Sequence, residues 1–222
     1  GKHMPNRPGL QVFMVHESPA CYRGHGAEMH DAATGDILWH IPGSIDVGRG
    51  ICMDIDPAHP GNECWASTGG ITNPVGGLYN AAGVQISAVR PRSLNFGLWW
   101  DGDLLRESLD GTRIDKWNPQ AQRLEPLLDA ALYGAASING TKANPVLSAD
   151  LFGDWREEVV WRSASDDALL VFSTTAPTRN RITTLMHDSQ YRVQVAAQNA
   201  AYNQPPHPSF FLGEGMTPPP AS

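Results

Sequence analysis

An all-β fold, assembled from repeated units of about four short strands, is predicted by three observations. Turn formers are abundant, with 22 Gly and 18 Pro among 222 residues, and only 18 % of the chain is charged. Stretches with apolar residues at i, i+3, i+4 and i+7 are scarce, and the clearest is a short helical pattern around Arg192–Tyr202. An acidic signature also recurs behind an apolar strand at nearly constant spacing.

The signature occupies Gly50–Trp65 (GICMDIDPAHPGNECW), Asn95–Leu109 (NFGLWWDGDLLRESL) and Pro145–Trp161 (PVLSADLFGDWREEVVW). In each, an apolar run ends in Asp, a turn follows, and Glu leads into a second apolar run. The anchors Asp54, Asp101 and Asp150 stand 47 and 49 positions apart. Strand-only units of this period predict the blades of a β-propeller. The middle unit reads as Phe96–Trp100, Arg106–Leu109, Arg113–Trp117 and Leu124–Leu128. The last reads as Pro145–Ala149, Glu158–Arg162, Leu169–Ser173 and Arg181–Met186. Gly76–Gly83 and Glu28–Trp39 resemble each other and place a hairpin turn at matching points of neighbouring units. Three near-complete blades are expected, with partial ones at either end. Such rings usually close with about four to eight blades. That leaves a four-bladed ring, or a larger one completed by a second copy or by further N-terminal chain. Residues 10–216 form the predicted domain; 1–9, opening with GKHM, read as a tag or linker remnant, and 217–222 as a tail.

The formal net charge of −7 argues against nucleic acid as a partner, since phosphate binding usually needs a basic face. No apolar run approaches a membrane span and no signal peptide is present, so localisation stays open. Cys21, Cys52 and Cys64 leave at least one thiol unpaired, and a disulfide framework is not the organising principle.

The acidic loops concentrate hard oxygen ligands of the kind Ca²⁺ takes, about six to eight at a time. Asp54, Asp56 and Glu63 form one set; Asp101, Asp103 and Glu107 a second; Asp150, Asp154 and Glu157 a third. Glu17 joins the candidate ligands. One of Glu157 and Glu158 must point inward and needs a partner. The pairs His16-Glu17, His30-Asp31 and His187-Asp188 raise a transition-metal site, but no His-x-x-x-His or Cys pair accompanies them. Asn139-Gly140-Thr141-Lys142 is a polar loop ahead of a buried strand, readable also as an ordinary Asn-Gly turn. Arg49 lies between two glycines, where the backbone can approach a neighbour and the guanidinium can clamp a carboxylate or pair with a nearby Asp. The amides, Tyr and Pro of Gln198–Pro208 suit a sugar-contacting loop or a closing segment. Trp39, Trp65, Trp99, Trp100 and Trp161 lie in strands and belong to the core.

NFGLWWDGDLLRESLDG, NGTKANPVLSADLFGDWREEVVWRS and TLMHDSQYRVQVAAQNAAYNQPPHPSFFLG closely resemble the C-terminal half of rhamnogalacturonan lyases with an eight-bladed propeller. DVGRGICMDIDP and HDAATGDILW resemble the stretch just before it. The resemblance implies about four blades, half of a ring, braced by calcium. It implies cleavage of the rhamnose–galacturonic acid backbone of pectin by β-elimination at O4 of galacturonate. It assigns Lys142 and Arg49 to charge stabilisation or proton transfer, and Asn139, Gly140, Thr141 and Tyr202 to holding the sugar. Members of that family are far longer. A homodimer completing the ring, an inactive fragment, a calcium-stabilised module that binds pectin without cutting it, and a purely structural propeller are the competing expectations.

Overall fold

The computed structural model describes residues 1–67, 76–200 and 204–216, and among these fifteen strands form four small antiparallel sheets beside a single α-helix. The first sheet holds β1 (Gln11–Val15), β2 (His25–Asp31) and β3 (Ile37–Pro42). The second runs β4 (Gly50–Met53), β5 (Glu63–Ala66), β6 (Leu78–Tyr79) and β7 (Gln85–Ser87). β8 (Phe96–Leu98), β9 (Glu107–Asp110), β10 (Arg113–Asn118) and β11 (Arg123–Asp129) form the third. In the fourth, β14 (Glu158–Ser163) pairs with β12 (Ala135–Ala136), β13 (Leu147–Ala149) and β15 (Leu169–Phe172).

The four expected strands of the middle unit all form. The last unit differs: Arg181–Met186 is not a strand. After β15 the chain turns away, and Thr178 Oγ1 and Asn180 Nδ2 donate to the Gly102 carbonyl at 2.6 and 3.3 Å. Asp150 then accepts from Thr184 Oγ1 and the Leu185 amide, fixing a 3₁₀ turn over Leu185–His187. These bonds hold the segment across the third sheet's loop, so no fourth strand returns. The helix, α1 (Ser189–Ala197), begins earlier than its apolar pattern because Asp188 caps it, accepting from the Tyr191 amide.

One feature repeats through the sheets. Glu63, Glu107 and Glu158 each open the second strand of a hairpin, opposite Met53, Leu98 and Ala149. In each, Oε2 accepts two successive loop amides: Ile55 and Asp56, Trp100 and Asp101, Leu151 and Phe152. Gln11 takes that role in the first sheet, accepting from His3 and Met4. Gly1 pairs with Gln11 on both backbone groups, so the opening residues set apart as a remnant are bonded into this sheet. The residue before each Glu reaches back to the preceding unit: Asn62 to the His3 carbonyl, Arg106 to Asp54, Glu157 to Trp99. Register thus aligns Asp54 with Asp150, while Asp101 matches Asp56.

Apolar faces join each sheet to the next. Phe13, Val15, Ala27 and Ile41 meet Ala66 and Tyr79; Ile51, Met53 and Trp65 meet Trp117; Phe96, Leu98 and Ile114 meet Val159 and Trp161. Indole N–H groups cross the same seams, from Trp39 to Ala81 and from Trp161 to Gly111. A disulfide joins Cys52 and Cys64 across β4 and β5, and Cys21 is free and exposed. Among the described residues no helix is long and apolar enough to cross a membrane.

Candidate functional site

Arg49 sits on the stretch entering β4, its backbone tied to Ser67 on both groups. Gly50 beside it is obligatory, because a Cβ there would lie 2.6 Å from Val15 Cγ1 and 2.8 Å from Phe13 Cε1. This close approach lets Arg49 line a cleft of about 600 Å³ with His16, Glu17 and Tyr22 from the first sheet's edge and Gln204 from the C-terminal segment. Gln204 also lines a neighbouring cleft of about 620 Å³, walled by Gln190 and Gln194 of α1.

Lys142 ends a 3₁₀ turn over Gly140–Lys142. Asn139, Gly140 and Ala143 take left-handed backbone (φ 64, 53 and 50°), and Ile138 and Asn144 bridge the loop's ends. Successive left-handed Asn139 and Gly140 fit an Asn-Gly turn, and Ala143 adds a second non-glycine residue in that region. Buried Asn144 donates to Asn199 Oδ1 at 2.7 Å, and Asn199 donates to the Val146 carbonyl. Gln198 and Ser148 exchange two further bonds. The segment leaving α1 therefore bonds to residues 144–148, just beyond the Asn139–Lys142 loop, and Gln204 lines the Arg49 cleft. Five residues span at most about 18 Å, which bounds the distance from Asn199 to Gln204. Tyr202 and the Thr141 side chain lie outside the described residues.

The three carboxylate sets behave differently. Asp54 and Glu63 are buried, and Asp54 Oδ1 and Glu63 Oε1 have no hydrogen-bond partner. Burial pushes Asp54 up to about 8 and Glu63 up to about 9; repulsion from Glu214, Asp103 and Asp56 adds to the rise at Asp54, and from Asp54 and Asp56 to that at Glu63. Two orphaned buried oxygens on adjoining carboxylates suit a bound cation. Asp56 lies more exposed, accepting from the Ala58 amide. In the second set Asp101, Asp103 and Glu107 bring one oxygen each within 4.8 Å of one another. Lys116 Nζ lies among them at 2.6, 2.6 and 2.9 Å, so a metal ion there competes with an internal ammonium.

Among the described residues neither the first set nor the third brings three ligand oxygens together as the second does. Asp150 accepts from Gly153, Thr184 and Leu185. Glu157 accepts from Tyr191 Oη at 2.6 Å, the Trp99 amide and buried Arg106, whose guanidinium lies 4.0 Å above the Trp99 ring. Asp154 pairs with Arg156. Protein donors meet these carboxylates, which therefore fit a metal poorly. Glu157 and Glu158 are both buried, and Glu158, not Glu157, is the counterpart of Glu63 and Glu107. Lys116 was also missed, since a lysine 9 to 15 residues from its carboxylates carries no local signal.

The rhamnogalacturonan lyase family 11 C-terminal domain model matches residues 1–222. The chain is 56 % identical over 212 residues to rhamnogalacturonan endolyase YesW of Bacillus subtilis, which covers 96 % of this chain and 32 % of that protein. It is 48 % identical over 229 residues to rhamnogalacturonan exolyase YesX of the same organism, over 97 % of this chain and 36 % of that one. The crystal structure of YesW superposes with a TM-score of 0.91 at 54 % identity, covering 99 % of this chain and 36 % of that chain. A Bacillus licheniformis rhamnogalacturonan lyase does so with the same score at 51 % identity, over 99 % of this chain and 35 % of its own. The chain thus spans about a third of the length of these relatives. On this sequence match and the superposition of its four sheets, the chain belongs to rhamnogalacturonan lyase family 11, as its C-terminal domain.

Proposed function

We propose that the chain forms part of a lyase that cleaves the rhamnose–galacturonate backbone of pectin by β-elimination at O4 of galacturonate. The observation that carries this reading is the linkage of the Asn139–Lys142 loop, through Asn144 and Asn199, to the segment that reaches the Arg49 cleft. A loop fixed in this way presents Lys142 on a rigid support. Elimination needs a base for the C5 proton, an acid for the departing O4, and positive charge for the enolate-like carboxylate. Arg49 and Lys142 divide the charge stabilisation and proton transfer; Asn139, Gly140, Thr141 and Tyr202 hold the sugar. Calcium would be held by the orphaned oxygens of Asp54 and Glu63 and would brace the loop beyond β4, and Glu17 offers a carboxylate in the cleft itself. A calcium ion bound at the cleft would supply positive charge against the negative charge that develops on the uronate carboxylate as C5 loses its proton.

The four sheets serve as blades of a propeller. Val12 and Met14 on β1, and Leu169 and Val171 on β15, expose apolar side chains on the two end sheets. In a closed ring, a second copy or the longer chain of the relatives covers them. Ultraviolet absorbance of the unsaturated uronate tests the reading, with rhamnogalacturonan, calcium and Lys142→Ala as control. A rise lost in the variant supports it; a rise that persists in the variant overturns the role of Lys142. A flat trace with saturable binding would make this chain a pectin-binding module.

A further inference from the structure

A cleft of about 560 Å³ opens between the outer strands of the third sheet and the link that runs from β7 to β8. Four guanidiniums line it: Arg90 and Arg92 from the link, Arg113 from β10 and Arg123 from β11. They are a quarter of the chain's 16 Lys and Arg residues, in a protein of net charge −7. Two carboxylates line the cleft with them, and both are engaged: Asp110 accepts from Asn95, and Asp115 from Arg113. Positive charge is therefore in excess here, against the sign of the whole chain.

The donors on the link are the least engaged. Arg90 is half-buried and gives one N–H to the Pro91 carbonyl at 2.8 Å, and Arg92 is exposed. Among the described residues neither has a carboxylate partner, whereas Arg113 pairs with Asp115 and Arg123 with Glu125. Burial lowers Arg90 from its ordinary value, and no anion offsets that loss of water. Trp117 lines the same cleft, 4 % exposed, and its indole N–H has no acceptor among the described residues. A ring so covered offers no face on which a sugar can stack, which leaves recognition to charge.

The position of the cleft follows from the chain. Arg49 stands on the link entering the second sheet, and Arg90 and Arg92 on the corresponding link entering the third. Leu94, two residues beyond Arg92, lines the Arg49 cleft. Two residues span at most about 7 Å, so the two clefts adjoin. We propose that Arg90, Arg92, Arg113 and Arg123 hold carboxylates of an acidic polysaccharide at an accessory site beside the Arg49 cleft. Guanidiniums take carboxylates through paired N–H groups, and several along one cleft favour a ligand that repeats its charge. The choice of a uronate polymer rests on the lyase reading; the charge selectivity rests on the arginines alone. A polymer held here stays beside the Arg49 cleft between one cleavage and the next.

The test uses the whole chain labelled with nitrogen-15. Its indole N–H signals are followed while a short oligogalacturonate is added, a probe that carries uronates but lacks the rhamnose of the proposed substrate. The signal of Trp117 is the one missing from Trp117→Phe. A saturable shift of that signal is expected, weakened by added salt. The double variant Arg92→Gln with Arg113→Gln should lower the affinity at least about tenfold while its melting curve stays unchanged. A fully methyl-esterified oligomer, which carries no charge, should leave the signal in place. The proposal is overturned if the Trp117 signal does not move, if the ester binds as tightly, or if acetate at equal carboxylate concentration does. Binding lost in Arg49→Ala but kept in the double variant would put the uronate in the Arg49 cleft and would equally overturn it. Elimination is not read, so this proposal and the lyase reading fail separately.

Discussion

Calcium should stabilise this domain far more at alkaline than at acid pH, because Asp54 and Glu63 are buried with orphaned oxygens. Without metal their folded values rise from 3.8 to about 8 and from 4.5 to about 9. A raised folded value means that the native state holds the proton more tightly than the unfolded chain does. The metal-free contribution of this pair is therefore greatest below about pH 4 and falls as pH climbs through the window up to about 9. At about 1.4 kcal/mol per unit, each carboxylate has removed on the order of 5 kcal/mol once the window is crossed. A bound divalent ion reverses this by stabilising the ionised forms. About 2–4 °C of melting temperature per kcal/mol applies to a chain of this size. Chelation should thus lower the melting temperature by about 10 °C or more at pH 8 and only slightly at pH 5. Scanning calorimetry with calcium or chelator at both pH values reads the effect. Equal depression at the two values, or none at pH 8, would refute the argument. The pair Asp54→Asn with Glu63→Gln should flatten the pH dependence and abolish the calcium response.

Four further outcomes follow from the same structure. Lys116→Ala leaves Glu107, already pushed up to about 7 by burial, without its ammonium. It should cost about 2 kcal/mol, discounted for the partly exposed Asp103, and thermal melts should show calcium restoring most of it. Arg106→Ala strands Glu157 in the interior and should cost about 3–5 kcal/mol in denaturant titration, whatever the calcium level. Reducing Cys52–Cys64, which closes a separation of 12 residues, should cost about 3 kcal/mol, seen as a shift in the urea midpoint. Asn144→Ala removes the bond to Asn199 and should lower lyase turnover while leaving the melting temperature within a few degrees; equal loss in both would reduce it to a packing residue.

Much of the fold was legible. Apolar runs broken by Gly and Asp identified the strands of the second and third sheets, and the period identified their repetition. What misled was the use of Asp as the anchor. Asp is common in turns for local reasons, whereas the residue fixed by strand register is the Glu that caps two loop amides. Asp101 therefore slipped by two positions, and Glu157 stood in for Glu158. The strand expected at Arg181–Met186 failed because Thr178, Asn180 and Asp150 draw that segment across a neighbouring unit, a long-range effect without local trace. At the candidate site, Arg49 and Lys142 stood out through Gly50 and the Asn-Gly pair. The tie from Asn144 to Asn199 spans 55 positions and has no sequence signature.

The central claim is elimination chemistry that depends on Arg49 and Lys142. The most direct measurement is mass spectrometry of the products from rhamnogalacturonan digested in heavy-oxygen water, using the wild type, Arg49→Ala and Lys142→Ala with calcium present. The account predicts an oligosaccharide one water lighter than a hydrolysis product, free of heavy oxygen, and absent from both variants. A hydrated product carrying heavy oxygen, or an elimination product formed as readily by both variants, would contradict it.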